Sequence, residues 1–289
     1  MNGSVRLIAT TLRLSLLIAL TLALTASYGK AQQPAPAPST SKDVNAHASE
    51  RLVDASIADD PAVDKMLEGY SPKVRALDTV IGTVKGELRK GGMGAGSLGN
   101  FVSDAMRAEA SRALKRPVDL AVVNGGGLRR SNLAEGDLRA RDIFELLPFE
   151  NALVMVDLNG EQLMSLLASV TSRRDAQSGA IINYRINAEK KAELESARIF
   201  DQQYHDLPIT PTMTYTVVTI DYLINRGGGS YATLHEGRNI RPLGITLRDT
   251  IMNYVKAETA AGHPIRAEPD SRYVLDKANS VMSGEAPPR

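Results

Sequence analysis

The sequence predicts one α+β domain, an irregular α/β arrangement with a mixed sheet and packed helices. Two observations lead there. Apolar residues recur at helical spacing in some segments and gather into short β-branched runs in others. The two kinds of segment then follow one another without the strict strand–helix–strand rhythm of a doubly wound parallel sheet. No internal repeat is evident, and 289 residues are enough for one large domain or two small ones.

The first 31 residues read as a secretory leader rather than as part of the fold. Arg6 and Arg13 supply positive charge, and Leu14 to Ala26 is an apolar-to-small run without an acid. Gly29-Lys30-Ala31 places small residues where a leader is cut. The run of 13 residues is short of the roughly 20 that a membrane-spanning helix needs, so no stable membrane anchor is expected. The chain is expected to be exported, to the periplasm or the medium. Removing the leader takes away three cations and no acid, leaving 31 basic against 33 acidic residues and a net charge of −2. That balance argues against nucleic acid as a partner. Cysteine is absent, which excludes disulfides, thiol catalysis and Cys-bound zinc.

Residues 32–49 form a Pro-rich linker with nothing to bury, expected to be disordered. An N-terminal helical segment follows at 50–78: Asp60-Pro61 starts a helix, and Val63, Met66, Leu67, Tyr70, Val74 and Leu77 continue an apolar stripe. The main domain is expected over 79–267. Val80 to Val84 reads as a strand. Leu98, Phe101, Val102, Ala105, Met106 and Leu114 line one face of a helix that stops before Pro117. Asp119 to Val123 is a short buried strand, Asp142 to Leu147 a short helix ended by Pro148, and Ala152 to Leu158 another strand. Asn159-Gly160 turns into a helix from Glu161 to Val170. Tyr215 to Ile220 is a strong β-branched strand running into Asp221-Tyr222, and Thr246 to Lys256 is the closing helix. The remainder, 268–289, reads as a polar tail.

Several chemistries are disfavoured by pattern. Gly94-x-Gly96-x-x-Gly99 matches the dinucleotide fingerprint in letters only: the preceding strand ends at Val84, whereas the fingerprint needs a strand feeding straight into the turn. A plain glycine-rich loop is the better reading. His47, His205, His235 and His263 are scattered, with no pair at metal-ligand spacing, and His205-Asp206 and His235-Glu236 read as solvated surface pairs. Neither a nucleophile elbow nor a phosphate-binding P-loop occurs. No catalytic residue is therefore nominated, and no cofactor or metal is expected on this chain.

A binding constellation is left. Asn124 follows the strand at Asp119 to Val123 and opens a run of three glycines, which favours a tight turn and close approach to a ligand. Asn124 and Arg129 offer hydrogen bonds to a base edge and to phosphate or ribose oxygens. Phe149 and Tyr222 can stack on a base, at roughly 1–3 kcal/mol per base. Core packing is the plainer alternative for either ring alone.

These segments resemble, in order, the C-terminal, substrate-binding domain of the 5′-nucleotidase family. The resemblance is carried by Asp60-Pro61 with Val63 and Tyr70, by Ser97-Leu-Gly-Asn-Phe-Val-Ser-Asp-Ala-Met-Arg107, and by Asn124-Gly-Gly-Gly-Leu-Arg129. Asp142-Ile-Phe-Glu-Leu-Leu-Pro-Phe149, Leu158-Asn-Gly-Glu-Gln-Leu163 and Tyr215-Thr-Val-Val-Thr219 continue it, so that it spans about 59–257. It implies a nucleoside-binding domain in which Asn124 and Arg129, with Gly126 and Gly127 of the turn, make polar contacts. Phe149 and Tyr222 would sandwich the base. The family places an Asp in Gly-Gly-Asp-Gly-(Tyr/Phe) to bind ribose hydroxyls, where this chain has Gly229 within Gly227-Gly-Gly-Ser-Tyr231. Loss of charged hydrogen bonds of about 1.5–3 kcal/mol would weaken binding roughly 10- to 100-fold. The family's Arg upstream of Leu-Gly-Asn has its nearest counterpart in Arg89, at shifted spacing.

The family's metallophosphatase domain, which carries two divalent metals, has no counterpart among these motifs. The expectation is a domain that grips a nucleotide or nucleoside and serves nucleotide hydrolysis together with a separate metallophosphatase subunit. A stand-alone exported binding or interaction protein without catalysis is the alternative.

Overall fold

The structure, a computed structural model, describes residues 49–50, 52–200, 205–226, 228–266, 271–278 and 280. The leader, and the linker up to residue 48, lie outside the described residues. The described residues from Asp59 onward form one compact unit.

Helix α1 (Pro61–Glu68) starts where the sequence predicts: the Asp60 carboxylate accepts the Ala62 N–H at 2.8 Å, and Pro61 occupies the first turn, where no amide is needed. Helix α2 (Ser71–Ala76) follows at once. Neither helix buries a residue; Val63, Met66, Leu67, Tyr70 and Val74 are all exposed.

The next elements are β1 (Val80–Val84), β2 (Leu88–Arg89), α3 (Gly96–Leu114), β3 (Leu120–Val123), β4 (Asn132–Leu133), β5 (Gly136–Arg139) and α4 (Ala140–Leu146). Then come β6 (Ala152–Asn159), α5 (Gly160–Arg173), β7 (Ala176–Ser178), β8 (Ala180–Ile186), β9 (Ala192–Phe200) and β10 (Asp206–Pro208). The chain continues through β11 (Thr214–Ile220), α6 (Asp221–Arg226), α7 (Ala232–His235), β12 (Arg238–Thr246), α8 (Leu247–Ala260) and β13 (Tyr273–Leu275).

The central sheet has the order β12-β6-β11-β3-β7. Only β11 and β3 run parallel, with Val217 opposite Leu120; β6, β7 and β12 are antiparallel to their neighbours. All of β3, and β11 from Tyr215 onward, are buried regardless of which face a side chain takes, as expected of strands covered on both sides. Helix α3 packs on β3 and β7 and against α8, while α5 lies on β6 and β11. The apolar stripe read for α3 is buried at Leu98, Phe101, Val102, Ala105 and Met106. A second sheet, β10-β9-β8-β13, packs its β9 against α5.

This second sheet extends the fold beyond the elements read from the sequence. Its last strand lies within 268–289: β13 pairs in parallel with β8, Tyr273 opposite Ile182. The polar tail expected from residue 268 thus contributes a strand, with Arg272 buried beside it and bonded to Asp104 at 2.9 Å. The glycine-rich loop before α3 is structural. Gly94 and Gly96 take φ of 64° and 67°, and a Cβ on Gly99 would lie 2.0 Å from the Gly94 carbonyl oxygen.

At the far end of the parallel pair, Asp119 joins β3 to β11 by accepting the Thr216 N–H at 2.7 Å. Its burial raises the carboxyl above its ordinary 3.8, against the lowering effects of that N–H, Arg107 and Arg116. The folded state therefore holds this proton more tightly than the unfolded chain. The associated stabilisation is complete below about pH 3.8 and disappears as pH rises through the raised value. Asp119→Asn keeps an acceptor for Thr216 and removes the half-buried charge. It should melt above the wild type at pH 7, with the difference vanishing at pH 3, as measured by thermal unfolding at both pH values.

Candidate functional site

The topology brings distant residues to one end of the central sheet. β3 ends at Val123 and delivers Asn124; its parallel neighbour β11 ends at Ile220 and delivers Tyr222 one residue into α6. On the other side of β11, β6 runs the opposite way, with Leu153 opposite Ile220, so Phe149 just before β6 reaches the same end. The antiparallel outer strands do likewise. Ala176 of β7 sits opposite Val123, which sets Asp175 beside Asn124, and Thr246 of β12 sits opposite Ala152, which sets Arg248 behind Phe149. Along this edge the order is Arg248, Phe149, Tyr222, Asn124, Asp175.

Gly125 to Gly127 form a single 3-10 turn after Asn124. None of the three takes a left-handed φ, so the sequence-based argument from backbone freedom is replaced by one from space. A Cβ on Gly125 would approach the Ala95 Cβ at 3.2 Å, and Cβ atoms on Gly126 and Gly127 would lie 3.4 and 3.3 Å from the Asn124 carboxamide. The turn thus wraps its own asparagine. The Asn124 Oδ1 is buried and has no hydrogen-bond partner. A buried acceptor left unpaired costs about 1–3 kcal/mol.

Arg129 is exposed and donates to the Gly126 carbonyl at 3.3 Å, while its guanidinium stands 6.0 Å from the centre of the Phe149 ring. Its own N–H donates to the Leu146 carbonyl at 2.8 Å, tying the glycine turn to the end of α4. Phe149 is 49 % exposed and Tyr222 45 %, so neither ring is a core residue. Arg89 does not join them: it is exposed and pairs with Glu87. Its neighbour Lys90 does approach the turn, donating to the Leu128 carbonyl at 2.7 Å. Gly229 lies in the 3-10 turn Gly228–Tyr231, and a Cβ there would meet nothing within 4 Å.

Sequence reasoning missed the group that joins these turns. Asp175, 4 % exposed, accepts the Gly125 N–H on Oδ1 at 2.7 Å. On Oδ2 it accepts the Tyr231 hydroxyl and the Arg173 Nε, the latter at 3.2 Å. Its carbonyl takes the Tyr273 hydroxyl at 2.7 Å. Burial, reinforced by the Asp175 charge, drives the Tyr231 phenol far above its ordinary 10, so it stays a donor at any working pH. Asp175 stands alone after two arginines, a pattern that carries no signal by itself. Among the described residues no three His, Cys, Asp or Glu side chains gather closely enough to hold a metal ion.

The fold is that of known nucleotidases. A 5′-nucleotidase precursor from Thermus thermophilus superposes with a TM-score of 0.61 at 22 % identity, over 74 % of this chain and 43 % of that one. The NAD nucleotidase of Haemophilus influenzae superposes with a TM-score of 0.58 at 20 % identity, over 77 % and 42 %. A sequence profile described as 5′-nucleotidase, C-terminal domain matches residues 80–236, more than half of the chain, and the chain belongs to that family. Protein UshA of Yersinia enterocolitica is 29 % identical over 232 residues, 79 % of this chain and 38 % of UshA. The trifunctional nucleotide phosphoesterase YfkN of Bacillus subtilis is 27 % identical over 155 residues, 51 % of this chain and 10 % of YfkN. The chain thus spans well under two thirds of the length of these relatives.

Replacing Asp175 by Ala would strand the Tyr231 hydroxyl and the Gly125 N–H together, while the half-exposed Arg173 turns to solvent. The expected loss is about 2–5 kcal/mol in denaturant unfolding. Tyr231→Phe, which removes one donor and leaves the others, should cost no more than about 1–3 kcal/mol.

Proposed function

We propose that this chain is the nucleoside-gripping component of an exported nucleotide-hydrolysing system whose metal centre resides on a separate metallophosphatase. The observation that carries the reading is the placement of two half-exposed rings, Phe149 and Tyr222, with Asn124 and Arg129 at one end of three adjacent strands. An exposed ring costs the fold something to display and gains by stacking on a base. Asn124 is half-buried under the glycine turn with its Oδ1 unpartnered, so a base N–H or amine would reach that oxygen only with a shift of the turn. Arg129 is suited to ribose or phosphate oxygens, with the backbone of Gly126 and Gly127 close by.

Family membership supports the ligand class, since the relatives it matches include a 5′-nucleotidase and a nucleotide phosphoesterase. The uncovered stripe of α1 and α2 (Val63, Met66, Leu67, Tyr70 and Val74) supports a docking element for the metallophosphatase. Export rests on the leader read at 1–31, and among the described residues no helix is long and apolar enough to cross a membrane. A second reading is capture of a nucleotide or nucleoside without turnover, for which the same four side chains suffice; Gly229, where the family's ribose-binding acid is missing, weakens the grip in either reading.

The test begins with thermal unfolding of the mature protein against nucleosides and nucleoside monophosphates. A ligand at about 100 times its Kd should add roughly 2.7 kcal/mol, a shift of a few degrees. The shift should depend on the base and be lost in Phe149→Ala; no shift with any of them removes both readings. Mixing with a secreted metallophosphatase then separates the two: altered rate or specificity supports the two-component system, unchanged activity supports capture alone. The open space beside Gly229 gives an independent check. Gly229→Asp should fold as the wild type and bind nucleosides about 10- to 100-fold more tightly in titration calorimetry.

A further inference from the structure

The loop that displays Phe149 is only five residues long, Leu147 to Asn151, between the last residue of α4 and the first of β6. Leu147 seats the start of this loop in the core, but Phe149 at its middle is 49 % exposed and has no such seat for its ring. Here the hold comes from behind. Arg248, the second residue of α8 and only 8 % exposed, donates from Nε to the Leu147 carbonyl at 2.9 Å and from Nη2 to the Phe149 carbonyl at 3.3 Å. Its Nη1 donates to the Glu150 carboxylate at 2.8 Å. The guanidinium also stacks 4.4 Å from the centre of the Phe144 ring. One residue earlier, the Leu247 N–H donates to the Asn151 carbonyl at 2.8 Å. Four of the loop's five residues are thus bonded to the start of α8.

A buried guanidinium is expensive unless its donors are used, and these are used on acceptors of one short loop. Core packing at the start of α8 needs no charge; an apolar side chain would serve. What a planar fork adds is direction, since it fixes several acceptors at set angles, which an ammonium on a flexible stem does not. Fixing the Phe149 carbonyl fixes the backbone from which its ring departs, and stacking depends on the angle of the ring plane. Resting on the reading of Phe149 as a base platform, we infer that Arg248 is a positioning residue for base stacking, acting through the loop Leu147 to Asn151. The role requires no contact of its own with a ligand. Arg129, on the open side of the same ring, then meets a platform already aimed.

The experiment is a double-mutant cycle of Arg248→Lys with Phe149→Ala on the mature protein, read by nucleoside affinity, with hydrogen exchange of the segment 147–151 measured without ligand. Alone, R248K should weaken nucleoside binding about 5- to 150-fold, the span of one lost stacking contact, and should have no further effect in the F149A background. It should also speed exchange in 147–151 while helices α3 and α5 keep their protection. Affinity unchanged in R248K, or a loss that persists undiminished in F149A, overturns the inference. If the wild type binds no nucleoside, the proposed function fails by itself, and exchange decides the clamp: equal protection of 147–151 in wild type and R248K overturns it. Glu150→Gln, at an exposed carboxylate, covers the case of an R248K that does not fold; faster exchange in 147–151 supports the clamp and unchanged exchange overturns it.

Discussion

The shape of the candidate site depends on one buried carboxylate. Asp175 faces the backbone of the glycine turn with one oxygen and the Tyr231 hydroxyl and Arg173 with the other. Segments that are 50 and 56 residues away in sequence are thereby held to the same point. A carboxylate is suited to this because it accepts from several directions at once, and burial raises the cost of leaving any of those donors unpaired. The glycine turn, three residues without side chains around an asparagine, is held at its exit by Arg129 on Leu146 and by Lys90 on Leu128, and at its start by Asp175. The Gly228–Tyr231 turn is anchored chiefly by the ring and hydroxyl of Tyr231. Without Asp175 both turns would keep their sequences and lose their registration.

The sheet does the complementary work. A parallel pair at its centre, β3 with β11, sends two strand ends in the same direction, and open α/β sheets bind ligands at such carboxyl ends. The antiparallel strands outside the pair contribute their beginnings rather than their ends. Five chain segments therefore meet at one edge although only two strands run parallel. The positioning is layered: groups nearer the surface (the half-buried Asn124 and the exposed Arg129, Phe149 and Tyr222) stand in front of buried groups that hold them (Asp175, Arg248).

That layering explains what was legible in the sequence. The front layer is written in local motifs, a glycine turn after a β-branched strand and an aromatic after Leu-Leu-Pro, so all four of its residues were visible from residue type and spacing. The back layer is written in contacts across 50 to 101 residues, and a lone Asp175 or Arg248 carries no periodicity or motif. The helices α3, α5 and α8 were legible because burial stamps a period on them, and the strands β1, β3, β6 and β11 because they are short apolar runs rich in β-branched residues. The strands β8 and β9 were not: β9 reads Ala-Glu-Leu-Glu-Ser-Ala-Arg-Ile-Phe, half solvated, with charges on exposed positions. β12 was hidden by Pro242 and Gly244, residues that an edge strand tolerates and a central strand does not. β13 lies among polar residues and is a strand only because β8 offers it an open edge.

The parallel pairing at the centre also sets a timetable for the chain. Val122 and Thr219, bonded across β3 and β11, are 97 residues apart, and β3 lies between β11 and a three-residue strand. Until β11 exists, an all-apolar strand, Leu-Ala-Val-Val, has its main hydrogen-bonding edge unmatched. Closing so long a segment is slow compared with forming a helix or a hairpin, and the open edge meanwhile invites the wrong partner. A growing chain can complete α3 and α5 early, whereas the edge on which Asn124 and Tyr222 meet cannot exist before about three quarters of the residues have been made. The same crossing that gathers the candidate site therefore makes it one of the last parts of the molecule to form, and makes the unfinished chain the state most in need of a chaperone.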